Sequence, residues 1–176
     1  MFIMDQLGGR TMTEFQIVYA DMEHMESFHK ALSEVANEQV HIEMIQAPEL
    51  DQVREFQGQL IANNQPSYFA LLNNEVVGWC DVTCDPNPRL SHRGQLGMGV
   101  IASYREKGVG SMLLKSAIEK SKSIGIEKLE LNVYSTNEAA IGLYEKFDFQ
   151  QEGVIKNYRK LNGQYFDCIL MALQLK

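Results

Sequence analysis

A segment at residues 104–123 carries residue types that could bind a phosphate group. It reads YREKGVGSMLLKSAIEKSKS, a basic turn with two glycines that continues directly into an amphipathic helical pattern. The first turn of a helix leaves backbone N–H groups unpaired and adds partial positive charge. Gly108 and Gly110 would leave that backbone bare, and Arg105 and Lys107 would add charge, so a pyrophosphate would fit there. The alternative is a plain turn whose glycines serve only the chain geometry.

Two widespread phosphate-binding motifs are incomplete in this segment. The Walker pattern needs Lys-Ser or Lys-Thr directly after its last glycine, and the dinucleotide fingerprint needs a third glycine. Neither is present after Gly110. A protein that binds ATP or a similar nucleotide through this turn is therefore a disfavoured hypothesis.

The surrounding elements predict how this segment is positioned. Residues 95–134 read as strand, glycine turn, helix and strand, which is the length of a right-handed crossover between parallel strands. Gly97 and Gly99 interrupt the first strand, and glycine inside a strand often marks a bulge or a close backbone approach. The other predicted elements are a strand at 15–20, a helix that Asp21 caps and that runs to Asn37, helices at 49–63 and 137–147, a hairpin turning at Asn73-Asn74, and a final hairpin turning near Asn162-Gly163.

Length and composition indicate one globular domain, which we assign to residues 13–176, with residues 1–12 as a candidate disordered tail. Of the 176 residues, 45% are hydrophobic and 22% charged, which is ordinary for a soluble protein. The sequence has no apolar run long enough to span a membrane and no secretory signal pattern at its start. Its three cysteines have no Cys-x-x-Cys spacing, which favours reduced thiols and a cytoplasmic location over disulfides or zinc.

The net charge of −7 is unevenly distributed. Residues 1–90 carry −10 and residues 91–176 carry +3. Such asymmetry can mean two partners of opposite charge or two differently solvated surfaces. A sequence pI near 5.1 argues against a general nucleic-acid binder.

Three motifs in order resemble the GNAT superfamily of N-acetyltransferases. The turn Arg105-Glu-Lys-Gly108-Val-Gly110 matches the family's Arg/Gln-x-x-Gly-x-Gly/Ala pattern. The strand LGMGV precedes it, and NEAAIGLYEKFDF follows from Asn137. One departure is Asp148, where the family usually has glycine. The resemblance implies an α/β (α+β) fold, with a mixed, mostly antiparallel sheet of six to seven strands and about four helices around the parallel unit.

The resemblance also implies acetyl-CoA as co-substrate, with no metal. The turn would bind the pyrophosphate through its N–H groups, strand residues 98–100 would splay at a bulge and pair with the pantetheine arm, and Asn137 would hydrogen-bond that arm. Asn137 is also a preferred helix N-cap, and both roles can coexist. The predicted cofactor-binding residues are Met98, Gly99, Val100, Arg105, Glu106, Lys107, Gly108, Val109, Gly110, Ser111 and Asn137.

Acetyl transfer from the thioester to an amine sets further chemical demands. An alkylammonium has a pKa of about 10.4, so a base or a water path must take a proton before the amine attacks. Asp81, His92 and Glu38 are the candidate bases, each with a purely structural alternative. A backbone N–H, with Val100 as the candidate, would stabilise the oxyanion. Tyr144 matches the family tyrosine that protonates the leaving thiolate; the alternative is a core tyrosine.

The leading hypothesis is an N-acetyltransferase that acts on a primary amine, either a small molecule or a peptide N-terminus. The alternative is a catalytically silent acyl-CoA sensor with the same fold, and neither nucleic acid nor a membrane is expected as a partner. The oligomeric state stays open, with a homodimer as one option. The acidic N-terminal half further predicts a cationic acceptor, because acids at the acceptor groove would attract one. The acids considered are Glu34, Glu38, Glu43, Glu49 and Asp51.

Overall fold

The computed structural model describes residues 14–176, so the predicted tail at 1–12 lies outside the described residues. Its strands are β1 (Gln16–Tyr19), β2 (Ser67–Leu72), β3 (Glu75–Cys84), β4 (Arg93–Val100), β5 (Lys128–Tyr134), β6 (Gln150–Leu161) and β7 (Gln164–Gln174). The helices are α1 (Met25–Asn37), α2 (Leu50–Ala62), α3 (Val109–Ser123) and α4 (Glu138–Lys146), with a short 3₁₀ turn at Ala102–Tyr104. No helix in this part of the chain has both the length and the apolar character needed to cross a membrane.

The strands form one mixed sheet in the order β1-β2-β3-β4-β5-β7-β6. Within the described residues β4 and β5 are the parallel pair, and the other neighbouring strands are antiparallel. The chain passes from β4 to β5 through α3, which is the crossover that the sequence predicts. The predicted fold class is therefore confirmed.

Both predicted hairpins form at left-handed turn residues. Asn73 and Asn74 have φ angles of 51° and 65°, and Asn162 and Gly163 have 49° and 82°. Two consecutive positive φ angles define the two-residue turn whose twist matches that of the flanking strands, and Asn and Gly tolerate it best. These turns set the pairing of β2 with β3 and of β6 with β7.

The core lies between the sheet and the apolar faces of its helices. On α3 the buried residues include Val109, Leu113 and Ala117, at helical spacing. On the other side, Phe28 of α1 stacks on Phe69 of β2 with ring centroids 4.8 Å apart. The glycine turn before α3 is thereby tied to a helix that the core holds in place.

The helix α1 begins later than predicted. The Asp21 carboxylate accepts hydrogen bonds from the backbone N–H groups of Glu23 and His24, at 2.9 and 3.0 Å. These bonds stabilise a turn that precedes the helix, which starts at Met25. The prediction that Asp21 caps the helix is therefore wrong. An Asp side chain that accepts hydrogen bonds from the backbone N–H groups of the next residues favours a turn as readily as a helix start.

The expected bulge in β4 is absent from its pairing with β3. The register runs without interruption from Gly78 opposite Val100 to Cys84 opposite Gly94. Gly97 and Gly99 instead allow close approach by side chains of β3. A Cβ atom at Gly99 would lie 2.3 Å from the Trp79 indole, and one at Gly97 would lie 3.3 Å from Oδ1 of Asp81.

Asp148 adopts a left-handed conformation, with a φ angle of 65°. It follows the C-terminus of α4, where a left-handed residue commonly ends a helix. Its N–H bonds to the carbonyl of Glu145 at 3.0 Å. The glycine usual at this position in GNAT sequences is thus replaced by a residue that tolerates the same backbone geometry.

Candidate active site

The parallel strands β4 and β5 separate after a short paired stretch and leave a cleft between them. Their pairing extends only from Arg93 opposite Lys128 to Gln95 opposite Glu130. Beyond it lies a cavity of about 790 Å³. Its walls come from β4, β5, α4, the turn before α3 and the loop between α1 and α2, residues 38–49, which we call the α1–α2 loop.

The exposed edge of β4 presents backbone hydrogen-bonding groups to this cleft. Ile101 N–H bonds to the carbonyl of Val77, at 3.0 Å, and so points toward β3. Successive peptide groups of a strand point to opposite edges. The N–H groups of Met98 and Val100 therefore point toward the cleft, where an added extended chain could pair with them. The splay that the family resemblance implies is present, although the pairing of β4 with β3 contains no bulge.

The start of α3 presents a row of N–H groups at one end of the cleft. Met112 N–H makes the first intrahelical bond, to Gly108 O at 3.1 Å. The N–H groups of residues 109–111 precede it and have no acceptor inside the helix. Glu106 and Gly108 are both left-handed, with φ angles of 60° and 83°. Alternating right- and left-handed residues turn successive N–H groups into an anion-binding concavity.

The two positions Gly108 and Gly110 require glycine for different physical reasons. Gly108 faces open space, so its left-handed backbone, rather than a neighbouring atom, favours glycine. A Cβ at Gly110 would lie 3.0 Å from Cδ2 of Leu143 and 3.5 Å from Cε of Met98. Gly110 therefore also allows α3 to approach α4 and β4 closely.

The two basic residues of the turn are placed differently. Arg105 donates from Nε to Val100 O at 2.9 Å and from Nη2 to both carboxylate oxygens of Glu38, at 2.7 and 2.8 Å. It links β4 to the end of α1 instead of pointing at the N–H row. Lys107 Nζ lies 5.4 Å from the centre of the Tyr104 ring.

Most of the predicted cofactor-binding residues line the cavity, but two do not. Lys107 is absent from its walls, and Val109 has its side chain buried in the core, so only its N–H is available. Asn137 lines the cavity and also caps α4, accepting from Ala140 N–H at 3.2 Å. The predicted residues in the walls are Met98, Gly99, Val100, Arg105, Glu106, Gly108, Gly110, Ser111 and Asn137.

Tyr144 of α4 reaches the cavity from the core. It is only 7% exposed, and its ring lies 5.7 Å from that of Phe149. It nevertheless lines the cavity, and no hydrogen bond of its hydroxyl is found within residues 14–176. Burial raises the pKa of the phenol, and the nearby Cys80 thiol raises it further. Tyr144 is therefore a protonated group, buried but adjacent to the cleft.

The structure separates the three candidate bases. His92 is exposed at the start of β4, six residues before Met98 and therefore about 20 Å away along the strand. It is not brought to the cavity. Asp81 is buried behind Gly97, outside the cavity walls, and burial raises the pKa of its carboxyl to about 7. Glu38 is bound by Arg105.

Several cavity residues were not identified from the sequence. His41 comes from the α1–α2 loop, and Tyr134 comes from the end of β5. Glu43 of the same loop, one of the acids considered for the acceptor groove, also lines the cavity. Outside the cavity walls, the Tyr158 hydroxyl of β6 donates a hydrogen bond to the Glu43 carboxylate. This hydrogen bond raises the pKa of the Tyr158 phenol to about 12. Arg159 of β6 donates to the carbonyls of Gln39 and Val40, and its guanidinium lies 4.8 Å from the Tyr134 ring centre.

An irregularity in β6 directs the side chains of Tyr158 and Arg159 toward the α1–α2 loop. The register with β7 shifts between Ile155 and Arg159, and Asn157 within that stretch has a φ angle of 54°. Bulges of this kind often redirect side chains beside functional sites. An asparagine inside a strand pattern was the available sequence signal for it.

The acidic groove on which the cationic-acceptor hypothesis depends is not found. Of the five acids considered, Glu43 alone lines the cavity within the described chain. Glu38 is paired with Arg105, and Arg159 approaches the same loop. The loop also places Ile42 and Met44 in the walls. No group of His, Cys, Asp or Glu suited to hold a metal occurs in residues 14–176.

A splayed parallel pair, an N–H row and a tyrosine thus border one cleft. Residues 25–149 match the sequence profile of the Acetyltransferase (GNAT) family, so this protein belongs to that family. It is 34% identical over 104 residues to the L-amino acid N-acetyltransferase AaaT of Escherichia coli K12. That match covers 58% of this chain and 64% of the relative.

Solved structures agree with this assignment. The GNAT-family acetyltransferase of Streptococcus pneumoniae superposes with a TM-score of 0.87 at 27% identity, covering 93% of this chain and 100% of the other. A phosphinothricin acetyltransferase of Sinorhizobium meliloti, in complex with acetyl-CoA, superposes with a TM-score of 0.85. At 18% identity, over 93% of this chain and 89% of the other, it shows a shared fold.

Proposed function

We propose that this protein transfers the acetyl group of acetyl-CoA to the amine of a small acceptor by direct attack on the thioester. The observation that carries the proposal is the cleft, where the unpaired edge of β4, the N–H row of α3 and Tyr144 border one cavity. Family membership supports the reaction class. A fold neighbour in complex with acetyl-CoA supports the co-substrate.

The proposed binding mode assigns one part of acetyl-CoA to each wall. The N–H groups of residues 109–111 bind the pyrophosphate, and the helix dipole favours its charge. The N–H groups of Met98 and Val100 pair with the pantetheine arm and with the acetyl oxygen as it gains charge in the transition state. The Asn137 side chain, which lines the cavity, would hydrogen-bond the arm. The charge of Arg105 serves mainly to hold Glu38, so the backbone supplies most of the phosphate contacts.

The chemical step needs one bond to form and one to break. The neutral amine attacks the acetyl carbon, the C–N bond forms, and the C–S bond breaks. Tyr144 donates its phenolic proton to the leaving sulfur and regains a proton from the amine nitrogen or from water. The buried position of Tyr144 keeps its proton in place until the thiolate develops.

The acceptor side favours a small amine over an internal segment of a polypeptide. Arg159 and Tyr158 hydrogen-bond to the α1–α2 loop and so connect β6 to one wall of the cavity. We infer that this connection leaves less room for an extended peptide than for a small amine. Ile42, Met44 and Tyr134 give the walls apolar surface. The relative AaaT is named for acetylation of L-amino acids. A free amino acid with an apolar side chain is therefore the acceptor class that we propose.

The test is acetyl-CoA consumption by the purified protein with a panel of amines, with products identified by mass spectrometry. The panel holds apolar, acidic and basic L-amino acids, a polyamine and a short peptide with a free N-terminus. We expect the highest kcat/KM with apolar amino acids. Binding of acetyl-CoA without consumption in the presence of any amine would contradict the proposal and leave an acyl-CoA sensor. A polyamine as best substrate would refute the acceptor class alone.

A further inference from the structure

A histidine of the α1–α2 loop borders the cavity without a hydrogen-bond partner in residues 14–176. The His41 side chain is 33% exposed and lines the cavity. Its Nδ1 atom is buried and unpartnered. Its Nε2 atom also makes no hydrogen bond to the described chain but is not buried. Nε2 is therefore the ring nitrogen that a molecule in the cavity can reach.

The ring is next to a carboxylate that is held in place. Nε2 of His41 lies 3.7 Å from Oε2 of Glu38. Arg105 fixes that carboxylate at 2.7 and 2.8 Å and is itself bonded to Val100 O at 2.9 Å. These contacts connect His41 to the end of β4, where the proposed binding mode places the pantetheine arm. At 3.7 Å the carboxylate makes no hydrogen bond to Nε2, so Glu38 acts on the imidazole through its charge.

The charges around His41 favour its neutral form. Burial lowers the pKa of the imidazole, and the cations Arg105 and Arg159 lower it further, while the Glu38 carboxylate opposes them. Of the charged residues in the same loop, Glu43 lines the cavity. A histidine with a pKa below its ordinary 6.5 is unprotonated at neutral pH and can accept a proton.

We propose that Nε2 of His41 accepts the proton that the acceptor ammonium must lose before it attacks, and this inference rests on the proposed function. The ammonium N–H bond breaks, an imidazolium forms, and the free electron pair on the amine then forms the C–N bond. Glu38 stabilises the imidazolium by charge. The second amine proton leaves with the thiolate through Tyr144, so His41 and Tyr144 act on different protons.

The decisive experiment compares His41→Gln with His92→Gln across amines of different basicity. His92 is exposed at the far end of β4 and provides the same substitution away from the cavity. For amines whose ammonium pKa is about 10, His41→Gln should lower kcat/KM by about 10²-fold or more. For methoxyamine, which is already neutral at the assay pH, the loss should shrink to a few-fold. Calorimetry should give unchanged acetyl-CoA affinity, and His92→Gln should match the wild type.

A second pair of measurements separates a base from a residue that only shapes the loop. Imidazole added to His41→Ala should restore part of the rate with basic amines, and Glu38→Gln should shift the acidic limb of the pH profile to lower pH. Equal losses for all amines, or no imidazole rescue in the folded variant, would overturn the inference. If His41→Gln keeps wild-type kinetics, the inference fails while the proposed function stands. If the wild type consumes no acetyl-CoA with any amine, both fail.

Discussion

Tyr144 shows how one side chain can belong both to the core and to the cavity. Its ring packs beside Phe149, and no hydrogen bond of its hydroxyl is found within the described chain. Burial raises the pKa of the phenol and so makes it a weaker acid. The same environment raises the pKa of a thiol, as it does for Cys80 and Cys168. A leaving thiolate in this cleft should therefore be more basic than it is in water, which favours its protonation.

Replacing Tyr144 with Phe tests this role, because it removes the hydroxyl and keeps the ring. We expect kcat to fall by about 10²-fold or more, the usual scale for lost general-acid catalysis. Acetyl-CoA affinity should stay within about twofold. Steady-state kinetics and calorimetry on the same preparation measure both quantities. A variant with wild-type kcat, when chemistry is rate-limiting, would assign Tyr144 to the core alone.

Asp81 is the residue whose ionisation should affect stability. Burial raises the pKa of its carboxyl to about 7 in the folded protein, against 3.8 for an unperturbed Asp. The folded state therefore favours the protonated carboxyl, and this stabilisation is lost as the pH rises from about 4 through 7. At pH 8 the buried, ionised carboxylate therefore lowers the free energy of unfolding.

Asp81→Asn should therefore raise Tm at pH 8 by about 5 °C or more and change it little at pH 4, where the carboxyl is protonated in the folded protein and still about half protonated in the unfolded protein. The measurement is thermal unfolding at the two pH values. Glu55→Gln, at an exposed position of α2, is the matched control and should show no pH-dependent difference. An Asp81→Asn effect of the same size at both pH values would exclude a raised pKa as its cause.

At the level of elements, Gly110 at the start of α3 meets two requirements, close packing and an accessible backbone. Its missing side chain admits Leu143 and Met98 and leaves the N–H row open. Gly110→Glu should abolish acetyl-CoA binding, since a carboxylate would occupy the phosphate position and repel it. Calorimetry measures the affinity, and circular dichroism checks the fold.

Gly142→Glu is the control for this substitution, because Gly142 also lies in a helix and a Cβ atom there would meet nothing within 4 Å outside its own helix. It should bind acetyl-CoA like the wild type. If Gly110→Glu is folded and binds with unchanged affinity, the pyrophosphate does not lie at this helix start.

The irregular part of β6 is a second element with a predicted function. Arg159 connects it to the backbone of the α1–α2 loop. Arg159→Gln should raise KM for the acceptor about tenfold, because each hydrogen bond to a charged group is worth about 1.5–3 kcal/mol before solvent screening. Acetyl-CoA affinity should be nearly unchanged. Lys160→Gln removes the adjacent charge, which lies over the Tyr165 ring, and should have little effect on KM.

The elements that could be predicted from the sequence are those that depend on local patterns. Hairpin turns, apolar helix faces and the α3 N-terminus are local patterns, and each was located from residues close together in the chain. The α1–α2 loop depends on contacts such as that between Glu43 and Tyr158, which are 115 positions apart. No local pattern encodes such a contact, so His41 was missed. The same limit applies to His92 and Asp81, whose residue types suit a base but whose positions only the sheet determines.

Across the whole molecule, the uneven charge of the two halves of the sequence is not reproduced in the cavity walls. The acidic half does supply the α1–α2 loop, but Arg105 and Arg159 from the basic half bind that loop and offset its charge. The cavity is thereby closer to neutral than the −10 of residues 1–90 suggests. A salt series on kcat/KM with an apolar amino acid should consequently be nearly flat, since steering by surface charge is what salt screens.

The central claim is that this cleft forms a carbon–nitrogen bond between the acetyl group and an amine. The most direct measurement is NMR of a reaction between acetyl-CoA labelled with ¹³C at the acetyl carbonyl and a ¹⁵N-labelled apolar amino acid. We predict that the thioester carbon signal disappears while an amide signal with one-bond ¹³C–¹⁵N coupling grows, and that Tyr144→Phe slows this about 10²-fold. A thioester signal that persists beside wild-type protein known to bind acetyl-CoA, or that decays only to free acetate, would contradict the account.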